Sequence, residues 1–252
     1  MIEYLWLVPL GFVAGIIGSM IGLGGGFIVV PVLTFFGFSP TLAASDSLFA
    51  AFSNSIASTA SYARQKRIVY SLGLKLAVIS IPGTILGAYI SEDISPPVFK
   101  ILFAMVLVSS GVYIYLRRKM ESREHNLSKQ LMVFVAGASF FAGIISSLFG
   151  IGGGSVFVPL MVIAIGLSMK LAAPTSQFIL MFAAASGMIM HSILGHPNYY
   201  EAGMLSIGSF IGGLVGSKLS TRVNERKLRL CITLVLGIAA IKLVIDALAG
   251  PF

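Results

Sequence analysis

Charge is what this chain has least of. Only 10% of its 252 residues are charged, where a soluble domain carries roughly 25%. Cysteine is nearly absent: Cys231 stands alone, so no internal disulfide can form, and its apolar setting makes packing its ordinary role. Acidic residues number nine, and only Asp46 lies well inside an apolar stretch. No Lys or Arg precedes the first apolar run, so the basic opening of a signal peptide is missing. Histidines number three; His191 and His196 are five apart, off a common helical face, with no Cys or acid to complete a metal set. No metal or other cofactor is expected.

What is present is apolar: 57% of residues, with a mean hydropathy of +0.97. The apolar residues fall in blocks rather than stripes, which makes this an all-α polytopic protein of the cell membrane. Five stretches can be read in each half. They are about 4–21, 26–37, 41–63, 71–91 and 97–116, then 131–149, 154–167, 170–194, 202–220 and 228–249. Residues 1–116 form a first repeat, 117–129 a basic linker and 130–252 a second repeat.

The net charge of +8 does not imply nucleic acid. Fourteen of the 17 basic residues gather around three short loops, at Arg64–Lys75, Arg117–Lys129 and Lys218–Arg229. Such clusters beside apolar segments mark the cytoplasmic side.

One glycine-rich phrase occurs twice. Gly22-Leu-Gly-Gly-Gly26 runs on to Pro31, and Gly150-Ile-Gly-Gly-Gly154 runs on to Pro159. Residues 12–33 and 140–161 agree at 12 of 22 positions, so the chain is duplicated. The stretch after each phrase is short. Residues 26–37 make roughly 18 Å of helix against a hydrocarbon core about 30 Å thick. With its neighbour it forms a broken helix or a re-entrant hairpin, and irregular backbone at that depth implies a protein-lined or wet cavity.

Loop charge then sets direction. The basic 64–75 loop sends stretch 71–91 outward, whereas the uncharged-to-acidic loop 195–201 and basic loop 218–229 send stretch 202–220 inward. Equivalent segments point opposite ways, so the repeats are inverted. That requires three or five crossings per repeat.

A doubled Gly-x-Gly-Gly-Gly…Pro phrase, each followed by a Ser/Thr-bearing helix, resembles the TauE/SafE family of membrane transporters over about residues 8–248. The resemblance implies export or uptake of sulfite, sulfoacetate or a related small organosulfonate. One departure stands out. Where the family is expected to read Ala-Thr-Ser-Leu, the first repeat has Ser45-Asp46-Ser47-Leu48, while the second keeps Thr175-Ser176, followed by Gln177.

The candidate binding residues follow. Gly24, Gly25, Gly26, Gly152, Gly153 and Gly154 precede short helices, whose free N–H groups and partial positive charge attract anions. The competing reading is close helix packing by small residues. Ser45, Ser47, Asn54, Thr175, Ser176 and Gln177 can donate to an oxyanion, or else bond their own backbone or a neighbouring helix. Asp46 pairs by offset with Thr175, and His191 with Tyr62. Asp46 and His191 are the proton-coupling candidates, the alternative for each being a place at the outer interface. Gly154-Ser155 with His191 could imitate an intramembrane serine protease, but Ser155 matches Phe27 and the repeat does not preserve it. The expected partners are a small anion, the lipid bilayer and protons. A secondary carrier working by alternating access is the leading reading and an anion-selective channel the alternative. No catalytic set or soluble sensor domain suggests an enzyme or receptor.

Overall fold

The computed structural model describes residues 4–116, 129–221 and 225–248. Apart from Lys129, the basic linker lies outside the described residues, as does the side chain of Cys231. Ten α-helices and one short π-helical segment make up the described elements, with no strand among them. The α-helices are α1 (Leu7–Ile21), α2 (Gly26–Phe35), α3 (Pro40–Arg64), α4 (Tyr70–Asp93), α5 (Pro96–Leu116), α6 (Lys129–Phe149), α7 (Gly154–Pro159), α8 (Met169–Ile193), α9 (Tyr199–Leu219) and α10 (Glu225–Leu248).

Four described helical spans are long and apolar enough to cross a membrane: Tyr70–Asp93, Leu131–Phe149, Met169–Ile193 and Tyr199–Leu219. The 25-residue α3 is as long as α8 but far more polar, and its serines, Asp46 and Asn54 are mostly buried. It is therefore packed inside protein on its polar side. Ser39 starts it, accepting from the Leu42 N–H, with Pro40 in the first turn where its missing N–H costs nothing.

Stretch 154–167 was expected as one short helix. Beyond Pro159 it instead becomes a π-helical segment, Leu160–Ala164.

The helices do not pack by halves. Helix α1 lies against α9, and α6 against α4. Glycines make both contacts. A Cβ on Gly15 would strike Ser209, and one on Gly212 would strike Phe12. At the matching places, a Cβ on Gly143 would strike Ser80, and one on Gly83 would strike Phe140. Small residues let backbones approach, which is how helices associate without a hydrophobic driving force in lipid.

The contacts also fix direction. Gly11 meets Leu205 and Gly216 meets Ile16, so α1 and α9 run parallel; Gly83 meets Phe140 and Gly87 meets Ile144, so α4 and α6 do too. Asp46 bonds Asn198 and Gln65 bonds Ser217, making α3 parallel to α9. Helices α3 and α8 are antiparallel, since Ser58 bonds Gln177 while Gly187 lies by Leu48.

Helices α1 and α2 form a hairpin that opens at one end. Trp6, at the start of α1, and Phe36, just past α2, have ring centroids 4.7 Å apart. At 15 residues α1 is about 22 Å long, short of the hydrocarbon thickness of about 30 Å. Its tip therefore lies within the bundle.

Candidate functional site

The site is built at the two hairpin tips. Helix α1 stops because Gly22 takes a left-handed conformation (φ +83°), with its N–H returning to the Gly18 carbonyl. Gly150 ends α6 likewise, at φ +67°. The return helices α2 and α7 begin at Gly26 and Gly154, behind Gly25 and Gly153, which offer no side chain to cap them. The first-turn N–H groups thus lack the side-chain cap that usually serves them.

The two tracts lie against each other. A Cβ on Gly26 would strike the Gly150 carbonyl, and one on Gly154 the Gly22 carbonyl. Gly24 sits by Ile151 and Leu180, and Gly152 by Leu180 and Ala51. Gly153 is crowded by Phe157 and Ser146. Gly25 is different: its φ of −82° suits any residue, and a Cβ there would meet Ala14 at an ordinary 3.5 Å.

Gly25 therefore separates electrostatics from packing. Because Gly25 lies in the helical region (φ −82°, ψ −19°), a Ser there does not cap α2 but places a side chain beside the first-turn N–H groups that an anion would approach. We expect unchanged thermal stability and roughly tenfold weaker anion binding, about 1.4 kcal/mol. Titrating the purified variant with sulfite checks this; unaltered affinity would assign the tract to packing.

Side chains from the long central helices hold the tips. Helix ends leave carbonyls without intrahelical partners, and here they find donors. Ser176 Oγ donates to the Gly22 carbonyl at 2.7 Å, and Ser47 Oγ to that of Gly150 at 2.9 Å. The Tyr62 hydroxyl donates to the Ser19 carbonyl at 2.8 Å, and His191 Nε2 to that of Ser147 at 3.1 Å. Gln177 Nε2 reaches the Gly18 carbonyl at 2.9 Å, while its Oε1 accepts from Ser58 at 3.2 Å. Ser47, Ser176 and Gln177 are thus engaged with backbone in this conformation. Ser45 Oγ and both amide atoms of Asn54 are buried without a protein partner. Such groups are costly to leave unpaired.

Asp46 and Thr175 do the same work in the two halves. Asp46 Oδ1 accepts from the Asn198 N–H, one residue before α9, and Thr175 Oγ1 from the Val69 N–H, one residue before α4, both at 3.0 Å. Asp46 is fully buried, against the loop that precedes α9. Glu201, 4% exposed, shares Asn198 with it, and Asp46 Oδ2 and Glu201 Oε2 are both buried without a hydrogen-bond partner. Asn198 Nδ2 donates to Glu201 Oε1 at 2.8 Å.

Glu201 has no place in the sequence reading, although Asn198-Tyr-Tyr-Glu201 has the spacing of a capping box and marks the start of α9. His191 and His196 were expected to point apart. They meet, Nδ1 to Nδ1 at 2.8 Å, because the chain leaves the helix after Ile193 and turns at Gly195 (φ +76°). His196 Nε2 lies 3.4 Å from Glu92. Among the described residues no group of three or more Cys, His or acidic side chains is placed to hold a metal ion.

A polytopic helical bundle with paired glycine hairpins and a buried polar centre is the architecture of a membrane transporter. The chain belongs to the TauE/SafE family: the family model described as sulfite exporter TauE/SafE matches residues 7–243. It is 30% identical to the probable membrane transporter protein YunE of Bacillus subtilis, covering 98% of this chain and 99% of that one. A probable membrane transporter protein of Methanocaldococcus jannaschii is 29% identical over 94% and 95% of the two chains. The probable membrane transporter protein YfcA of Escherichia coli K12 is 24% identical over 98% and 93%. No solved structure matches the chain.

Proposed function

We propose that this protein is a secondary carrier for a small sulfur-containing oxyanion, sulfite or an organosulfonate, working by alternating access between two inverted repeats. The observation that carries the reading is the exchange of contacts at the hairpin tips. Ser176 of the second half holds Gly22 of the first, and Ser47 of the first holds Gly150 of the second. Breaking and remaking one such pair at a time alternately frees the two uncapped glycine tracts. Asn54 and Ser45 supply unpaired donors in the same buried region.

The helix directions support the inversion. Helices α1, α3 and α9 run one way and α4, α6 and α8 the other, so α1 opposes its repeat partner α6, and α3 opposes α8. With the hairpins re-entrant, each repeat crosses three times. By loop charge, the Arg64–Val69 end is cytoplasmic and the Glu92–His196 end outer. The substrate class rests on the family's description. Asp46, backed by Glu201, is the proton-coupling group, and the family of transporters argues against an enzyme.

A channel would use the same glycine tracts without alternation. Counterflow distinguishes them. Liposomes loaded with unlabelled sulfite should accumulate labelled sulfite transiently and saturably, with trans-stimulation of several-fold. Uptake that is linear in concentration, with no trans-stimulation, would point to a channel.

A further inference from the structure

The two halves hold their hairpin tips with different chemistry at equivalent places. At one end, Tyr62 caps the Ser19 carbonyl, and Arg67 sits over its ring, 5.3 Å from the centroid. Arg67 also donates to the Lys170 carbonyl and to Ser220 Oγ, both at 3.0 Å. Shifting by 129 residues turns Tyr62 into His191, Arg67 into His196 and Val69 into Asn198. The backbone repeats as well: Arg67 N–H donates to Tyr62 O at 3.3 Å, and His196 N–H to His191 O at 3.1 Å. The first loop is thus held by a phenol, a guanidinium and a threonine, none of which changes charge between pH 5 and 8. The second is held by two imidazoles and carboxyl groups.

One extra proton, on either ring, satisfies every contact of the second pair. His191 Nε2 faces a carbonyl, so it carries hydrogen and donates to Ser147 O. If the ring is neutral, its Nδ1 is a bare acceptor, so the hydrogen at the 2.8 Å contact belongs to His196 Nδ1. His196 Nε2 faces the Glu92 carboxylate, which a protonated ring answers with an ion pair. The pair is closed when it holds one extra proton, shared across the Nδ1 to Nδ1 contact. A second proton would leave two N–H groups and two positive charges facing each other.

We propose that His191, His196 and Glu92 form a proton-binding latch at the outer end, which closes over the α6–α7 hairpin tip with one bound proton and opens with two. The cytoplasmic counterpart, Tyr62 with Arg67, stays closed at any physiological pH. The other ionisable groups pinning this loop are Asp46 of α3 and Glu201 of α9, which hold Asn198. They act on the far end of the loop and are neutral or negative, so they do not oppose entry of the second proton. This deepens the carrier reading by giving protons a port of entry, yet the latch itself needs no substrate.

The test therefore uses none. In a Cys231→Ser background, a thiol is placed beneath either latch by Ser147→Cys or by Ser19→Cys. Both serines are fully buried, and each lends its carbonyl to the latch. The purified, detergent-solubilised variants are labelled with dithiodipyridine, which thiols attack even in acid, from pH 7.5 to 4, a range wide enough to charge a fully buried imidazole that already faces a second one. The ratio of the two rates cancels the intrinsic pH dependence of the thiol. We expect the ratio, Ser147→Cys over Ser19→Cys, to rise at least tenfold on acidification. Adding His191→Tyr with His196→Arg, the side chains used at the other end, should abolish the rise. Glu92→Gln, a milder surface change, should move it to more acidic pH because the second proton loses a compensating negative charge. A flat ratio, or a rise unaltered by both sets of substitutions, would overturn the latch. Failure of sulfite counterflow with the pH-dependent ratio intact would instead remove the carrier reading and leave the latch standing.

Discussion

Asp46→Thr is expected to give a folded protein that binds substrate and no longer responds to a pH gradient. Thr175 shows how the threonine would sit: its hydroxyl accepts from the N–H preceding the next helix, as Asp46 now does. Asp46→Asn keeps an oxygen for the same bond and mimics the protonated acid. Both lose the group that takes up and releases a proton, so accumulation driven by a gradient of one pH unit should fall to the level of downhill equilibration. Asp46→Leu has no acceptor. It leaves the partly buried Asn198 N–H without its acceptor, at about 1 kcal/mol, and should lower the unfolding temperature where the other two do not. Proteoliposome uptake with and without an imposed gradient separates these outcomes. Gradient-driven accumulation that survives in both Asn and Thr variants would restrict Asp46 to its structural bond and leave proton coupling to another group.

The second large effect concerns the glycines. Gly26→Ala and Gly154→Ala each aim a methyl group at the carbonyl of the opposite hairpin, Gly150 or Gly22. A backbone carbonyl cannot rotate away like a flexible side chain. The tips would be forced apart, and transport should fall at least a hundredfold. Gly25→Ala adds the same methyl group one residue away, where only Ala14 is met at 3.5 Å. It should transport within about twofold of the parent protein. Equal loss in all three would mean that the tract must flex rather than merely fit. Initial uptake rates, normalised to protein in the membrane, decide between these results.

The sequence reading was strongest where the signal is local. The doubled glycine phrase, the shortness of the stretch behind it and the Ser/Thr-bearing helix that follows are all visible in one dimension. They place the glycine breaks and the long helices at 41–63 and 170–194 to within a residue or two of Pro40–Arg64 and Met169–Ile193, and leave broken helix or hairpin undecided. What could not be read was the exchange of partners. Nothing along the chain says that Gly15 will meet Ser209, since both halves carry glycines able to serve either helix. The roles of Ser47 and Ser176 were hidden for a similar reason: a serine that binds an anion and one that caps a distant carbonyl look alike. The histidine pair was misjudged because helical spacing was carried past Ile193, where the helix ends. Glu201 was legible in principle from its spacing to Asn198, but its burial depends on Asp46, 155 residues earlier.

The π-helical segment Leu160–Ala164 accounts for a mismatch between the halves. Before it, equivalent residues differ by 128 positions, as with Gly22 and Gly150; after it, by 129, as with Asp46 and Thr175. The turn closing each return arm locates the change: Phe38 N–H reaches back five residues to Leu33, whereas Leu167 N–H reaches back six to Met161. One additional residue is wound into a single wider turn. Absorbed in a regular helix, it would have swung everything downstream by about 100°, carrying Thr175 and Ser176 away from Val69 and Gly22. Confined to a bulge, the insertion leaves no phase error behind, so the ancestral pairing of the copies survives a change in length that simple alignment at a constant spacing would miss.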